Sequence, residues 1–312
     1  MRYSSGVAIT QRAPTEDVGH SRCAKESRMT ATVYRPQTEH YERRPVSASK
    51  RLLVVYAHPD DEAFGNAGVI LAARAAGVEV HYVCATRGEC GTVDEHFLAE
   101  HADVRALRTA EQLAAAEALD LGAVHFLNYR DSNMPGTPDN MHPEALVMAP
   151  LADVAERVAA IIDAYKPQYL ITFPPYGGYG HPDHIAIHHA TMLALAQATW
   201  QVEQVYYSTF STTLLRVIIA GMRILGKNPR AFGRNGDIDV VRVAEEATPI
   251  TTIVITRHVI PAKIAAWNCH ASQGGGMTRV PRFMWWWFYG SETLTQVTPA
   301  PVGRRTRLRF DA

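Results

Sequence analysis

Little in the chain could staple it, anchor it in a bilayer or bias its charge. Its 312 residues hold four cysteines, Cys23, Cys84, Cys90 and Cys269, with no CxxC pair. That argues against a disulfide framework and for a reducing compartment, so a cytoplasmic location is expected. No stretch reaches the roughly 20 apolar residues that a transmembrane span needs. The nearest, Leu214 to Leu225, is short and carries Arg216 and Arg223. The first residues are polar and lack the apolar core of a secretory signal. Lys plus Arg and Asp plus Glu both total 31, so no nucleic acid or other polyelectrolyte is indicated as a partner. No GxGxxG follows the first candidate strand, which argues against a nicotinamide cofactor.

Alternation dominates what remains. Apolar runs near 52–57, 79–84, 123–127, 168–173, 204–209 and 250–255 read as strands, and segments near 64–76, 103–119, 150–165, 183–199 and 257–269 read as helices. Such alternation predicts an α/β fold, a Rossmann-like, mostly parallel sheet with helices on both faces, in a single domain. Residues 1–48 are polar and aperiodic and read as a disordered extension, with Met29 a candidate start. The domain is expected over 49–300, followed by an Arg-rich tail over 301–312. Residues 211–243 read as a helical insertion or cap. Its amphipathic stretch would cover a pocket, pack in a homo-oligomer or rest on a membrane surface, in that order of preference. Met284 to Tyr289 form an aromatic cluster suited to core packing or a subunit contact.

Two motifs carry chemistry. Leu52 to Tyr56 is an unbroken apolar run, and Ala57-His58-Pro59-Asp60-Asp61-Glu62 follows at the strand's carboxyl end, where open α/β sheets bind ligands. Pro59 forces a turn that can aim His58 and Asp61 at one centre. Acidic residues also favour helix starts, but a histidine beside two aspartates after a buried strand asks for more. The second apolar run, Gln168 to Phe173, leads through a Pro/Gly/Tyr loop to His181-Pro182-Asp183-His184. His58, Asp61 and His184 together offer two imidazoles and a carboxylate. Three protein ligands and an open position make a catalytic zinc site, and ferrous iron suits the same set. His188 and His189 read as a partly exposed helix flank.

These residues resemble the PIG-L/LmbE-like family of zinc-dependent de-N-acetylases. The likeness extends to Thr86-Arg87-Gly88-Glu89, to Tyr129-Arg130-Asp131-Ser132, and to Lys263 with His270, Ser272 and Gln273. The resemblance implies that His58, Asp61 and His184 hold the metal and that Asp60 is the general base. It also implies that Tyr179 is a polarising donor. His181, if protonated, would stabilise an oxyanion, with Asp183 orienting it and raising its pKa. Arg87, Arg130 and Lys263 are candidate substrate contacts, with ion pairs to Glu89 or Asp131 the plainer use of the arginines. Cys90 lies in the loop after Arg87, where a free thiol is the expected state. The expected activity is removal of an acetyl group from an amino sugar or glycoconjugate. Cleavage of a cysteinyl-sugar amide is the near alternative, and a non-catalytic metal- or sugar-binding protein the distant one.

Overall fold

The computed structural model describes residues 41–43, 50–274, 285–301, 303 and 305–310. A nine-stranded sheet runs through them in the order β1-β4-β3-β2-β5-β6-β8-β7-β9. Its centre is β2 (Arg51–Tyr56), whose last five residues are buried. A strand buried on both faces needs the continuous apolar run seen in the sequence. From β2 the chain passes through α1 (Asp61–Ala75) to β3 (Glu79–Thr86), then through α2 (Val104–Ala118) to β4 (Ala123–Tyr129). It then crosses back through α3 (Leu151–Tyr165) to β5 (Tyr169–Thr172), on the other side of β2. Short α4 (Gly177–Gly180) and α5 (Pro182–Gln197) lead on to β6 (Gln204–Ser208). β4, β3, β2, β5 and β6 are mutually parallel. Right-handed crossovers place α1 and α2 on one face and α3 and α5 on the other.

The strand order therefore reverses between β2 and β5. That switch point opens a crevice at the carboxyl ends of the two strands, the place where α/β sheets bind ligands. The first histidine motif follows β2 and the second follows β5. Parallel pairing, Leu52 with Tyr169 through Val55 with Thr172, brings motifs more than a hundred residues apart to one rim.

The far half of the sheet is mixed. α6 (Thr212–Ile224) and α7 (Val240–Glu246) occupy the stretch read as an insertion. β7 (Thr252–Ile255), α8 (Ile260–Cys269), α9 (Trp285–Tyr289) and β8 (Ser291–Thr298) follow, with β8 antiparallel to both β6 and β7. Two segments read as outside the domain contribute strands. Within 1–48, β1 (Tyr41–Glu42) pairs antiparallel with β4; residues 1–40, including Met29, lie outside the described residues. Within 301–312, β9 (Thr306–Arg307) pairs with β7, and Phe310 packs edge-on against Tyr169. In α9, Trp285 and Tyr289 pack beside Ile260 and Ile264, so this part of the aromatic cluster is core.

Helix α1 is split. Asn66 leaves helical geometry at φ −139° and ψ 26°, and its Oδ1 accepts from the Tyr56 hydroxyl. The second half of the helix thus has its own N-terminus. Its amides at Gly68 and Val69 each donate to the Glu292 carboxylate at 2.9 Å. An anion at a helix N-terminus satisfies orphan N–H groups and the helix dipole together. A Cβ at Gly68 would lie 2.7 Å from Glu292 Oε1, so only glycine admits this approach. Lys263, read as a substrate contact, is instead buried and ion-paired to Glu292.

Lys263→Met should therefore cost about 3 kcal/mol of stability, because it strands a buried carboxylate. Urea unfolding measures this. Adding Glu292→Gln to Lys263→Met should recover part of the loss, whereas a single variant as stable as the parent would show that the pair contributes nothing.

Candidate metal centre

Local sequence builds both rims. Tyr82 donates its hydroxyl to the His58 carbonyl at 2.7 Å, and Thr86 donates its amide and hydroxyl to the Ala57 carbonyl at 2.8 and 3.0 Å. These bonds fix the turn that Pro59 begins. Asp60 then takes φ 113°, a region costly for any residue with a side chain. That strain sits at the N-cap of α1 and lets Asp60 and Asp61 diverge. At the second rim His181 is the N-cap of α5, with Pro182 in the first turn. The Asp183 amide donates to His181 Nδ1 at 3.2 Å. Gly177 adopts φ 66°, and a Cβ there would lie 2.6 Å from that of His184. Glycine lets the loop lie directly on α5.

Three groups converge. His58 Nδ1 lies 3.1 Å from His184 Nε2. Asp61 Oδ2 lies 3.5 Å from the first and Asp61 Oδ1 lies 3.4 Å from the second. The opposite ring nitrogens are already engaged. His58 Nε2 lies 3.1 Å from Asp183 Oδ2, and His184 Nδ1 donates to the Gly177 carbonyl at 2.9 Å. Those partners place the protons on the outer nitrogens, so both inner nitrogens present lone pairs to the same point. Two lone pairs and a carboxylate facing each other repel unless positive charge lies between them, either a metal cation or a proton shared between His58 Nδ1 and His184 Nε2. A tetrahedral ion with bonds of about 2.0–2.1 Å separates its ligands by about 3.4 Å, close to the observed triangle. Burial works against a charged His58, yet Asp131, Asp183 and Asp61 outweigh it and hold its pKa well above the usual value. The pocket demands positive charge there. Burial pushes His184 down to about 4, which keeps that ring neutral. His58, Asp61 and His184 could thus hold a divalent cation.

The neighbours have separate work. Asp60 Oδ2 accepts from Arg108 Nη2 at 2.9 Å, and the same guanidinium donates to the Pro59 and Gly88 carbonyls. Burial pushes Asp60 up to about 6, against the pull of Arg108. His181 sits with its ring centroid 4.5 Å from that of His58. Burial and the other two imidazoles push His181 down to about 3. Its Nδ1 accepts a hydrogen bond, so the neutral ring carries its proton on Nε2. The expected imidazolium oriented by Asp183 is corrected accordingly. The Asp183 carboxylate instead faces His58 and accepts from the Ser132 amide at 2.9 Å. The Tyr179 ring lies 4.8 Å from the His184 ring, and burial raises its pKa far above the phenolic range.

The three basic residues expected to touch substrate fare differently. Arg87 is buried, donates to Asn128 Oδ1 at 3.0 Å and lies over the Phe126 ring. It supports the rim rather than lining a pocket, as Lys263 supports α1. Arg130 keeps partial exposure and pairs with Asp139 at 2.7 Å. Cys90 donates its thiol to the Asp131 carbonyl at 3.3 Å, and Cys84, Cys90 and Cys269 are all free thiols. His188, read as a helix flank, is buried and donates from Nδ1 to the Phe173 carbonyl at 2.8 Å, whereas His189 is exposed. Two residues had no role at the metal centre in the sequence reading. Asp131 Oδ1 comes within 3.6 Å of His58 Nε2, at the tip of a segment already singled out. Arg108 gave only one signal, a charged residue on the face of α2 shared by Leu107 and Glu111.

Asp183→Asn should weaken cation binding about 10- to 100-fold, because partners of a ligand histidine set its orientation and basicity. Competition against a chromogenic chelator measures this. An unchanged affinity would show that His58 needs no such partner.

Known proteins resemble the chain over the region that carries both motifs. A family model described as PIG-L: GlcNAc-PI de-N-acetylase matches residues 53–195, a span holding both motifs. A 1D-myo-inositol 2-acetamido-2-deoxy-alpha-D-glucopyranoside deacetylase of Actinosynnema mirum is 36% identical over 237 residues, covering 73% of this chain and 82% of the relative. One from Rhodococcus erythropolis is 35% identical over 246 residues, covering 73% and 82%. Among solved structures, N,N'-diacetylchitobiose deacetylase from Pyrococcus horikoshii superposes with a TM-score of 0.52 at 20% identity, covering 80% of this chain and 87% of that one. A 4-carboxy-2-hydroxymuconate hydratase from Pseudomonas putida superposes as well, with a TM-score of 0.51 at 18% identity, covering 82% and 100%. Distant superpositions establish the fold alone. Sequence identity and the matched motifs establish more: the chain belongs to the PIG-L family of de-N-acetylases.

Proposed function

We propose that the chain hydrolyses the acetamide of an N-acetylglucosaminyl group carried on an inositol, using zinc held by His58, Asp61 and His184. The observation that carries the reading is the lone-pair triangle with an unligated carboxylate, Asp60, beside it. The relatives' deacetylase names support the substrate class. A divalent cation in the triangle polarises an amide carbonyl and makes water a better nucleophile near neutral pH.

The protein's own groups do the rest. Asp60 takes a proton from the attacking water and returns it to the departing nitrogen, giving acetate and a free amine. Arg108 holds the carboxylate in place and favours its ionised form. Neutral His181 offers its Nε2 proton to the oxygen on which charge develops. Tyr179, kept protonated by burial, is the second donor of this kind. Asp183 and the Gly177 carbonyl hold the two ligand rings in the tautomers the cation requires. Arg130, with partial access to solvent, is the remaining candidate for sugar recognition.

Acetate release from an N-acetylglucosaminyl-inositol, followed beside metal content, tests the reading. Metal-replete protein that spares the acetamide but cleaves a cysteinyl-glucosaminyl amide would replace it with the amidase alternative. Asp60→Ala should keep its metal and lose about 10²–10⁴-fold in kcat, and a near-native rate would remove Asp60 as base. The pH profile carries a sign. Asp60 works as a carboxylate, so the rate is full above its pKa and falls as pH drops through it. Arg108 holds that pKa down, so Arg108→Met should move the acid limb of kcat/KM to higher pH. A limb that stays in place assigns it to another group.

A further inference from the structure

Residues 210–236 carry Arg216, Arg223, Lys227, Arg230 and Arg234 and no acidic residue, although acidic and basic residues balance over the whole chain. All five basic residues are exposed. The same stretch exposes a large apolar surface. Leu214, Val217, Ile218, Ile224 and Leu225 are 47%, 64%, 37%, 85% and 73% exposed. Leu214, Val217, Ile218 and Leu225 stand three, four and eleven residues along α6, so they share one side. Arg216 and Arg223, seven residues apart, mark another side. Ile219 is the one buried residue of the helix. Ser211 caps α6 by accepting from the Leu214 amide at 3.4 Å.

This face stands beside the metal centre. Phe210 lies against Gly178 in α4. Arg242 of α7 sits 5.0 Å above the Tyr176 ring. At the other end Arg234 pairs with Asp94, and Asn235 donates to Thr92 Oγ1 at 3.2 Å. The segment therefore runs from the loop after β5 to the loop after β3, alongside the crevice. An apolar face of this size is uncommon on a monomer in water. Arg230 and Arg234 already pair with Asp239 and Asp94, and a second copy on a two-fold axis would set the remaining Arg216, Arg223 and Lys227 against their own counterparts, which opposes association. A surface of fixed negative charge over an apolar interior answers both features.

We propose that α6 and the basic stretch after it dock on an anionic phospholipid surface. The apolar side chains enter the headgroup boundary and the basic ones contact the phosphates. A helix of 13 residues lies along such a surface and is too short to cross it. Docking would hold the crevice at the membrane–water boundary.

The test is co-sedimentation of the full chain with vesicles of phosphatidylcholine alone or with about one-third phosphatidylglycerol, over a range of salt. Binding is expected to the anionic vesicles only and should weaken as salt rises. Arg216→Gln and Arg223→Gln should each lower the partition coefficient about fivefold. Leu214→Asp with Val217→Asp should abolish partition, with circular dichroism and the thermal midpoint unchanged. Absence of partition at low salt overturns the proposal. So does a sedimentation-velocity dimer that Val217→Asp converts to monomer, because a second copy then covers the face. None of these readouts depends on the deacetylase assignment.

Discussion

Two imidazole lone pairs held 3.1 Å apart are the constraint from which the rest of this structure can be read. A positive charge between them, a metal ion or the proton that the surrounding aspartates favour on His58, is what makes the arrangement favourable. It persists because each ring is gripped from behind, His58 by Asp183 and His184 by the Gly177 carbonyl. Those grips depend on α5 starting where it does, with His181 as cap and Pro182 in its first turn. They depend equally on Gly177 allowing its loop to touch the helix. Strain at Asp60 is the matching concession on the other rim. The scaffold stores unfavourable contacts at one point and offsets them with a packed parallel sheet elsewhere.

Much of this was legible in the sequence because its determinants are local. The buried run of β2, the turn at Pro59 and the His-Pro-Asp-His start of α5 are short-range signals, and the central strands and helices followed from periodicity. The mixed half was harder. β8 is Ser-Glu-Thr-Leu-Thr-Gln-Val-Thr, polar enough to pass for loop, and becomes a strand because β6 and β7 flank it. β1 and β9 are two-residue edges set wholly by their neighbours. At the site, ligand candidates were visible because motifs are contiguous, while partners were not. Asp183 was assigned to His181 by proximity in sequence; in space its carboxylate reaches across the crevice to His58. Arg87 looked like a substrate contact because it follows a strand end, and Lys263 because it belongs to the late segment that resembles the family, yet both are buried in supporting roles.

The fold alone would not have settled the chemistry. A hydratase and a deacetylase superpose on it about equally well. The crevice at the switch point is a general feature of α/β sheets, and what fills it is particular. Here four aspartates, Asp60, Asp61, Asp131 and Asp183, lie among three histidines, with the Arg108 guanidinium against Asp60. Such an excess of negative charge suits a cation, and in the proposed reaction it leaves Asp60 over for proton transfer. In that proposal the number of acids matters less than their separation into three kinds of work: touching the cation, orienting a ligand ring and carrying a proton.

The seat of Glu292 on α1 has a consequence for synthesis. Gly68 and Glu292 are 224 residues apart, yet their hydrogen bond caps the second half of the helix that begins at Asp61. A ribosome releases the metal-binding turn early and the carboxylate near the end. Until β8 has emerged and inserted between β6 and β7, α1 lacks an anion for its inner N-terminus, and Lys263 lacks its counter-charge. The nascent chain thus displays the first motif long before it owns a finished site. Contacts of such long sequence separation form late and slowly, so β8, among the last strands laid down, also locks α1, and premature termination anywhere before it leaves the His58 turn on an unfinished support.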